Sequence, residues 1–291
     1  MTEDAMTDYD DVYFTNADGL QQHYRLYDRA GGGAPTVLCL PGLTRNARDF
    51  AHVADQLAGR CRMVLVEQRG RGLSAWDPQP ERYAPPAYVA DMFALLDHLG
   101  LDSVHVIATS LGGLMTMLMQ AARPGVIKTA VINDIGPHIE AAGIEKIKGY
   151  VGGGAPRRTW DEAVAAVKTI AGDVYPDFDA DQWMAFTKRL YTEKDGSIVL
   201  DYDPALANNF RQDTDNAAPE LWPVFEPMKT VPTLVIRGAL SDILSAETLD
   251  KMQAEHPDLA ALTLPRIGHA PILDEPEVVA ALEDWAARHY R

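Results

Sequence analysis

Ser110 stands where the apolar run Val104-His105-Val106-Ile107-Ala108-Thr109 stops, and a helix-like segment opens directly after it with Leu111-Gly112-Gly113. A strand that turns sharply into a helix forces its turn residue into a strained backbone and lifts that side chain clear of the sheet. Ala108, Gly112 and Gly113 are small at positions where bulk would strike the following helix. The N–H of Leu111, at the helix start, can point toward a developing oxyanion. A serine hydroxyl is a poor nucleophile until an imidazole removes its proton as it attacks a carbonyl carbon. The chemistry therefore needs a histidine, and a carboxylate that selects its tautomer and stabilises the imidazolium.

The segment around Ser110 resembles the nucleophile elbow of the α/β-hydrolase family. It reads Ala108-Thr109-Ser110-Leu111-Gly112, so alanine replaces the first glycine of the usual G-x-S-x-G. In the family the acid and then the histidine follow the serine, each on a loop after a late strand. Val231 to Gly238 reads as a short buried strand, and Ala239-Leu240-Ser241-Asp242 is its exit loop, which makes Asp242 the expected acid. Ala261 to Ile267 reads as the last strand. Gly268-His269-Ala270-Pro271 after it, with Leu273, Glu275 and Pro276, is similar to the family's histidine loop, so His269 is the expected base. Some family members carry the acid after the sixth strand, where Asn133-Asp134 stands, and Asp134 is the alternative to Asp242.

The resemblance also implies a second oxyanion donor in the loop after the third strand. Pro35 to Leu40 is that strand, and Pro41-Gly42-Leu43-Thr44 follows where the family usually has His-Gly-x-x. The backbone N–H of Leu43 is the expected partner of Leu111. Gln68-Arg69-Gly70-Arg71-Gly72-Leu73-Ser74 is similar to the family's D-x-R-G-x-G-x-S, with Glu67 in the acidic slot, and reads as a structural turn. Members that cleave haloalkanes or epoxides carry aspartate at the elbow, so the serine disfavours those reactions.

Two early strands, about residues 11 to 17 and 22 to 27, form a hairpin before strand and helix begin to alternate near Pro35. Helical patterns at about 47–57, 86–99 and 111–122 place the intervening strands in a doubly wound, mostly parallel eight-stranded sheet with helices on both faces. After a sixth strand ending near Pro137, no core strand is legible until Val231, too long a gap for a loop. Thr159 with Glu162, and Asp179 with Gln182, are capping pairs ahead of helical spacing. Residues 138–228 therefore read as an inserted helical cap, between a first core part at 1–137 and a second at 229–291. Trp160, Trp183, Phe186, Tyr191, Phe210, Trp222 and Phe225 are candidates for lining a pocket beneath it. His105 reads as a satisfied core residue and His138 as a residue near the pocket. His23, His52, His98, His256 and His289 read as peripheral.

The 291 residues, 47% of them hydrophobic, suffice for one large core plus an insertion. A formal net charge of −16 disfavours sequence-independent binding to nucleic acid or anionic lipid and fits neutral or apolar small molecules better than polyanions. The acidic N-terminus lacks a secretory pattern and no segment is long enough to span a bilayer, so a cytoplasmic setting is the default expectation. Cys39 and Cys61 read as core residues, and no spacing suggests a metal or an organic cofactor. The resulting expectation is a serine hydrolase of small carboxylic esters or lactones acting through an acyl-enzyme. Carbon–carbon or amide hydrolysis on the same residues, or a non-catalytic receptor on the same scaffold, are the alternatives.

Overall fold

The structure, a computed structural model, describes residues 8–208 and 220–291. Strands β1 (Asp10–Thr15), β2 (Gln21–Tyr27), β3 (Thr36–Leu40), β4 (Arg62–Glu67), β5 (Val104–Thr109), β6 (Ile127–Asn133), β9 (Thr233–Gly238) and β10 (Leu259–Leu264) form one eight-stranded sheet. Its order is β1-β2-β4-β3-β5-β6-β9-β10. β1 and β2 join antiparallel at one edge, and β4, β3, β5, β6, β9 and β10 run parallel.

The parallel strands are apolar on both faces because helices cover both. On one face α2 (Pro85–Leu99) and α3 (Leu111–Ala122) pack over Leu38, Leu40, Val106 and Ala108. On the other, α1 (Ala51–Leu57) and the last helix (Pro276–His289) cover Val37, Cys39, Ile107 and Val131, with Trp285 fully buried among them. α2 starts on Pro85 and ends at Gly100, whose left-handed φ of 66° lets the Gly100 and Leu101 N–H groups reach back to the last carbonyls. Cys39 and Cys61 are both free and buried. No helix among the described residues is long and apolar enough to cross a membrane.

Between β6 and β9 lie α4 (Ala141–Tyr150), α5 (Trp160–Ala171) and α6 (Ala180–Leu190), then a two-stranded hairpin of β7 (Tyr191–Lys194) and β8 (Ser197–Leu200). The Thr159 hydroxyl accepts from the Glu162 N–H, and Asp179 with Gln182 closes a reciprocal capping box. The hairpin is a departure from the all-helical expectation. It turns on Asp195 and Gly196, both at positive φ, as a two-residue hairpin turn requires. Trp183, Phe186, Tyr191 and Tyr175 form a small aromatic core within this segment. α7 (Trp222–Phe225) instead packs on α3, with Phe225 in the main core.

Candidate active site

The loops after β3, β5, β6 and β10 meet at the carboxyl ends of the parallel strands, where open α/β sheets leave a crevice. Ser110 follows β5 with φ 51° and ψ −117°, a conformation unfavourable for any side chain. It persists because its neighbours fix both peptides. The Ser110 N–H donates to the Asn133 carbonyl at 2.9 Å, and its own carbonyl accepts from Gly113 and Leu114 in α3. A Cβ at Gly112 would collide with the Leu40 carbonyl, and one at Gly113 with Ile135, so only glycine lets α3 start this close to the sheet. Ala108 is buried within β5, paired with Leu40 and Ile132, and its methyl is accommodated there.

The Ser110 Oγ lies 2.8 Å from His269 Nε2, and His269 Nδ1 lies 2.8 Å from Asp134 Oδ2. A carboxylate can only accept, so Nδ1 carries the proton and Nε2 offers its lone pair to the serine hydroxyl. Asp134 is fully buried at a positive φ of 58°. Its Oδ1 accepts from the Gly238 N–H at 2.9 Å, and its Oδ2 also accepts from the Ser241 hydroxyl at 2.6 Å.

The expectation for Asp242 is corrected by this geometry. The chain after β9 makes a tight turn, with the Ser241 N–H on the Gly238 carbonyl, and it is Ser241 that faces the buried carboxylate. Ser241 Oγ also takes the N–H groups of Ile243 and Leu244, which fixes the turn and sends the Asp242 side chain outward. Asp242 pairs with Lys146 of α4 at 3.2 Å, and Lys146 pairs in turn with Asp173 at 2.8 Å. Asp242 thus ties the inserted segment to the β9 loop and makes no hydrogen bond to His269.

His269 is held from two sides. From below, the Asn133 amide donates to the Pro271 carbonyl at 2.8 Å and to Thr109 Oγ1 at 3.1 Å. From above, the Gly268 N–H donates to the Val174 carbonyl at 2.9 Å, and the Tyr175 hydroxyl donates to the Ala270 carbonyl at 2.7 Å.

The loop Pro41–Arg45 passes beside Ser110: a Cβ at Gly42 would sit 3.7 Å from Ser110 Cβ. The N–H groups of Leu43 and Leu111 donate to no protein acceptor among the described residues. Leu111 is the first residue of α3, whose opening N–H groups have no intrahelical partner. Arg71 lies in the Gln68–Ser74 segment that reads as a structural turn, and the structure gives it a definite task. It is fully buried, and its Nε donates to the Leu43 carbonyl at 2.8 Å while Nη1 donates to the Arg69 carbonyl and the Tyr88 hydroxyl. This fixes residue 43 with its carbonyl turned to Arg71.

A cavity of about 770 Å³ opens over Ser110 and His269. Of the aromatic candidates, Phe186 and Tyr191 line it, together with Tyr150, Tyr175 and Tyr202, which the sequence reading did not single out. Burial pushes the Tyr150 hydroxyl up to about 12, so it stays neutral. Trp160, Trp183, Trp222 and Phe225 lie elsewhere, and Phe210 falls outside the described residues. His138 is exposed, 3.3 Å from Glu220, and does not reach the cavity. His105 is buried with Nδ1 2.9 Å from Thr129 Oγ1. His23 and His256, expected at the periphery, are both buried: His23 bridges Glu67 and Asp11, and His256 meets the Met228 carbonyl.

Comparison with known proteins agrees with this architecture, since a family model described as "Alpha/beta hydrolase family" matches residues 37–282. The chain belongs to the alpha/beta hydrolase family. The hydrolase is similar to an alpha/beta hydrolase from Novosphingobium aromaticivorans of known crystal structure, with a TM-score of 0.93 and 46% identity over 98% of this chain and 100% of that one. It is 34% identical to the 3-hydroxybutyrate-oligomer hydrolase of Cupriavidus necator, over 89% of this chain and 91% of that protein. It is 27% identical to the 2-(acetamidomethylene)succinate hydrolase of Mesorhizobium japonicum, over 86% and 87%.

Proposed function

We propose that this hydrolase cleaves small carboxylic esters through an acyl-enzyme on Ser110, with His269 as base and Asp134 as the acid that orients it. The observation that carries the reading is the unbroken chain from Ser110 Oγ through His269 to Asp134, with both hydrogen bonds at 2.8 Å. As Ser110 Oγ attacks the carbonyl carbon, its proton passes to His269 Nε2, and the C=O electron pair moves onto oxygen. The Leu43 and Leu111 N–H groups receive that charge. In hydrolases of this kind, losing one such donor lowers kcat by roughly 10²- to 10³-fold. Collapse of the intermediate expels the alkoxide, which takes the proton from His269. Water then repeats the sequence on the acyl-enzyme and releases the acid.

The stretch from α4 to β8, within the expected insertion, acts as a cap, supplying much of the cavity wall and keeping water from the reacting carbonyl. The similarity to a 3-hydroxybutyrate-oligomer hydrolase favours esters of short hydroxy acids over lactones and amides. The experiment is covalent labelling with a fluorophosphonate, read by mass, alongside turnover of p-nitrophenyl esters of increasing acyl length. Labelling and turnover that both vanish in Ser110→Ala support the assignment. A protein that binds esters but is neither labelled nor active is a receptor on this scaffold.

A further inference from the structure

Four cations line the cavity above Ser110: Arg45, Lys146, Arg157 and Arg189. Three are neutralised by carboxylates. Arg45 grips Asp49 with two hydrogen bonds of 2.5 and 2.6 Å, Lys146 lies between Asp173 and Asp242, and Arg189 reaches Asp274 at 3.0 Å. Arg157 is different. No carboxylate among the described residues lies within ion-pair distance of it, although acidic residues outnumber basic ones 42 to 26 in the chain. Its guanidinium lies beside the Tyr191 hydroxyl, and its Nε is buried with no partner. Glu162, an acid on the same cavity wall, is engaged by the Arg158 N–H at 2.9 Å.

The residue is also well anchored. Arg157 N–H donates to the Ile198 carbonyl at 2.8 Å and its carbonyl accepts from the Ile198 N–H at 2.9 Å, so its backbone is stitched to β8. Burial keeps the Tyr191 hydroxyl protonated, which leaves the guanidinium beside a neutral partner. Arg157 lines the cavity with no carboxylate to neutralise it, and a planar guanidinium matches an incoming carboxylate in two-point geometry.

We propose that Arg157 is a specificity-determining residue that receives a free carboxylate on the substrate, so that the preferred ester is an anionic one, a hydroxy-acid ester that keeps its terminal acid. This rests on the ester-hydrolase reading above and adds the charge of the substrate to it. It also narrows the expectation of neutral or apolar substrates drawn from the net charge: a single carboxylate is admitted at one place, where a cation awaits it.

The test uses the linear dimer of 3-hydroxybutyrate as the free acid and as its methyl ester. In the wild type kcat/KM favours the acid, and in Arg157→Gln the acid-to-methyl-ester ratio falls about 10- to 100-fold, through KM of the acid. Arg157→Lys restores part of the ratio. Calorimetric titration of both compounds into Ser110→Ala reads the same preference without turnover. A wild type that favours the methyl ester, or a ratio that moves less than about threefold in a folded Arg157→Gln protein, overturns the proposal. Absent fluorophosphonate labelling of Ser110 instead removes the hydrolase reading, while the titration still decides whether Arg157 holds a carboxylate.

Discussion

Replacing Asp134 with asparagine removes one charge and one acceptor from a site with no room to compensate. Asp134 accepts three hydrogen bonds, from the Gly238 N–H, the Ser241 hydroxyl and His269 Nδ1, and its side chain is sealed from solvent. Asparagine tolerates the positive φ at this position, so the backbone stays in place. Its amide nitrogen must then occupy one of the two carboxylate oxygen positions. Toward Gly238 it sets donor against donor. Toward His269 it forces the imidazole into the tautomer with the proton on Nε2, where it cannot take the Ser110 proton. Loss of tautomer control in a Ser-His-Asp hydrolase lowers kcat by about 10⁴, equivalent to about 5.5 kcal/mol of transition-state stabilisation. Asp242→Asn breaks only a half-exposed pair with Lys146, a kind of contact worth about 0 to 1 kcal/mol, and costs less than about threefold to fivefold. The assay is steady-state turnover of p-nitrophenyl butyrate by both variants, each checked for an unchanged melting transition. Collapse in Asp242→Asn with activity retained in Asp134→Asn would refute the assignment.

Three further outcomes follow from the same geometry. Ser110→Gly abolishes turnover and is more stable than Ser110→Ala by on the order of 1 kcal/mol in urea unfolding, because glycine relieves the φ of 51° that alanine retains; equal stabilities contradict the strain argument. Arg71→Lys cannot serve the Leu43 and Arg69 carbonyls together, so kcat falls by about tenfold or more while KM changes less, as steady-state kinetics will read. His105, driven down from 6.5 to about 4 by burial, binds fewer protons folded than unfolded in that interval. Stability therefore drops as pH falls from 6.5 toward 4, by about 3 kcal/mol from this residue, and is unaffected by it above 6.5. His105→Gln should lose markedly less stability than wild type between pH 7 and 4.5 in urea titrations.

The meeting of Ser110 and His269 is legible in the sequence because the signals for both positions are local. A β-branched run ending in a serine among small residues, and Gly-His-Ala-Pro after a last strand, each specify a turn within a few positions. The carboxylate that meets His269 is not legible in the same way. Asp134 and Asp242 both follow buried strands, and the choice depends on which way the chain after β9 turns, set by hydrogen bonds of Ser241 to residues 107 positions earlier and two to three later. One local signal did favour Asp134: it follows its strand with no intervening residue, as Ser110 does, whereas three residues separate Gly238 from Asp242. The β7–β8 hairpin also has a readable sign, Asp195-Gly196 between Tyr191-Thr192 and Ile198-Val199, a turn signal set directly after a stretch of helical spacing. Which aromatic rings face the cavity was beyond reach, since spacing along a helix names a face without naming what lies opposite.

The two hydrogen bonds that join residues 174 and 175 to the histidine loop make the roof of the cavity part of the framework that positions His269. A substitution that shifts that stretch therefore reaches the histidine loop directly through these two bonds. The wall of the cavity and the placement of the imidazole are thereby set by the same residues, with Asp134 and Asn133 holding the loop from the sheet side and residues 174–175 holding it from the other.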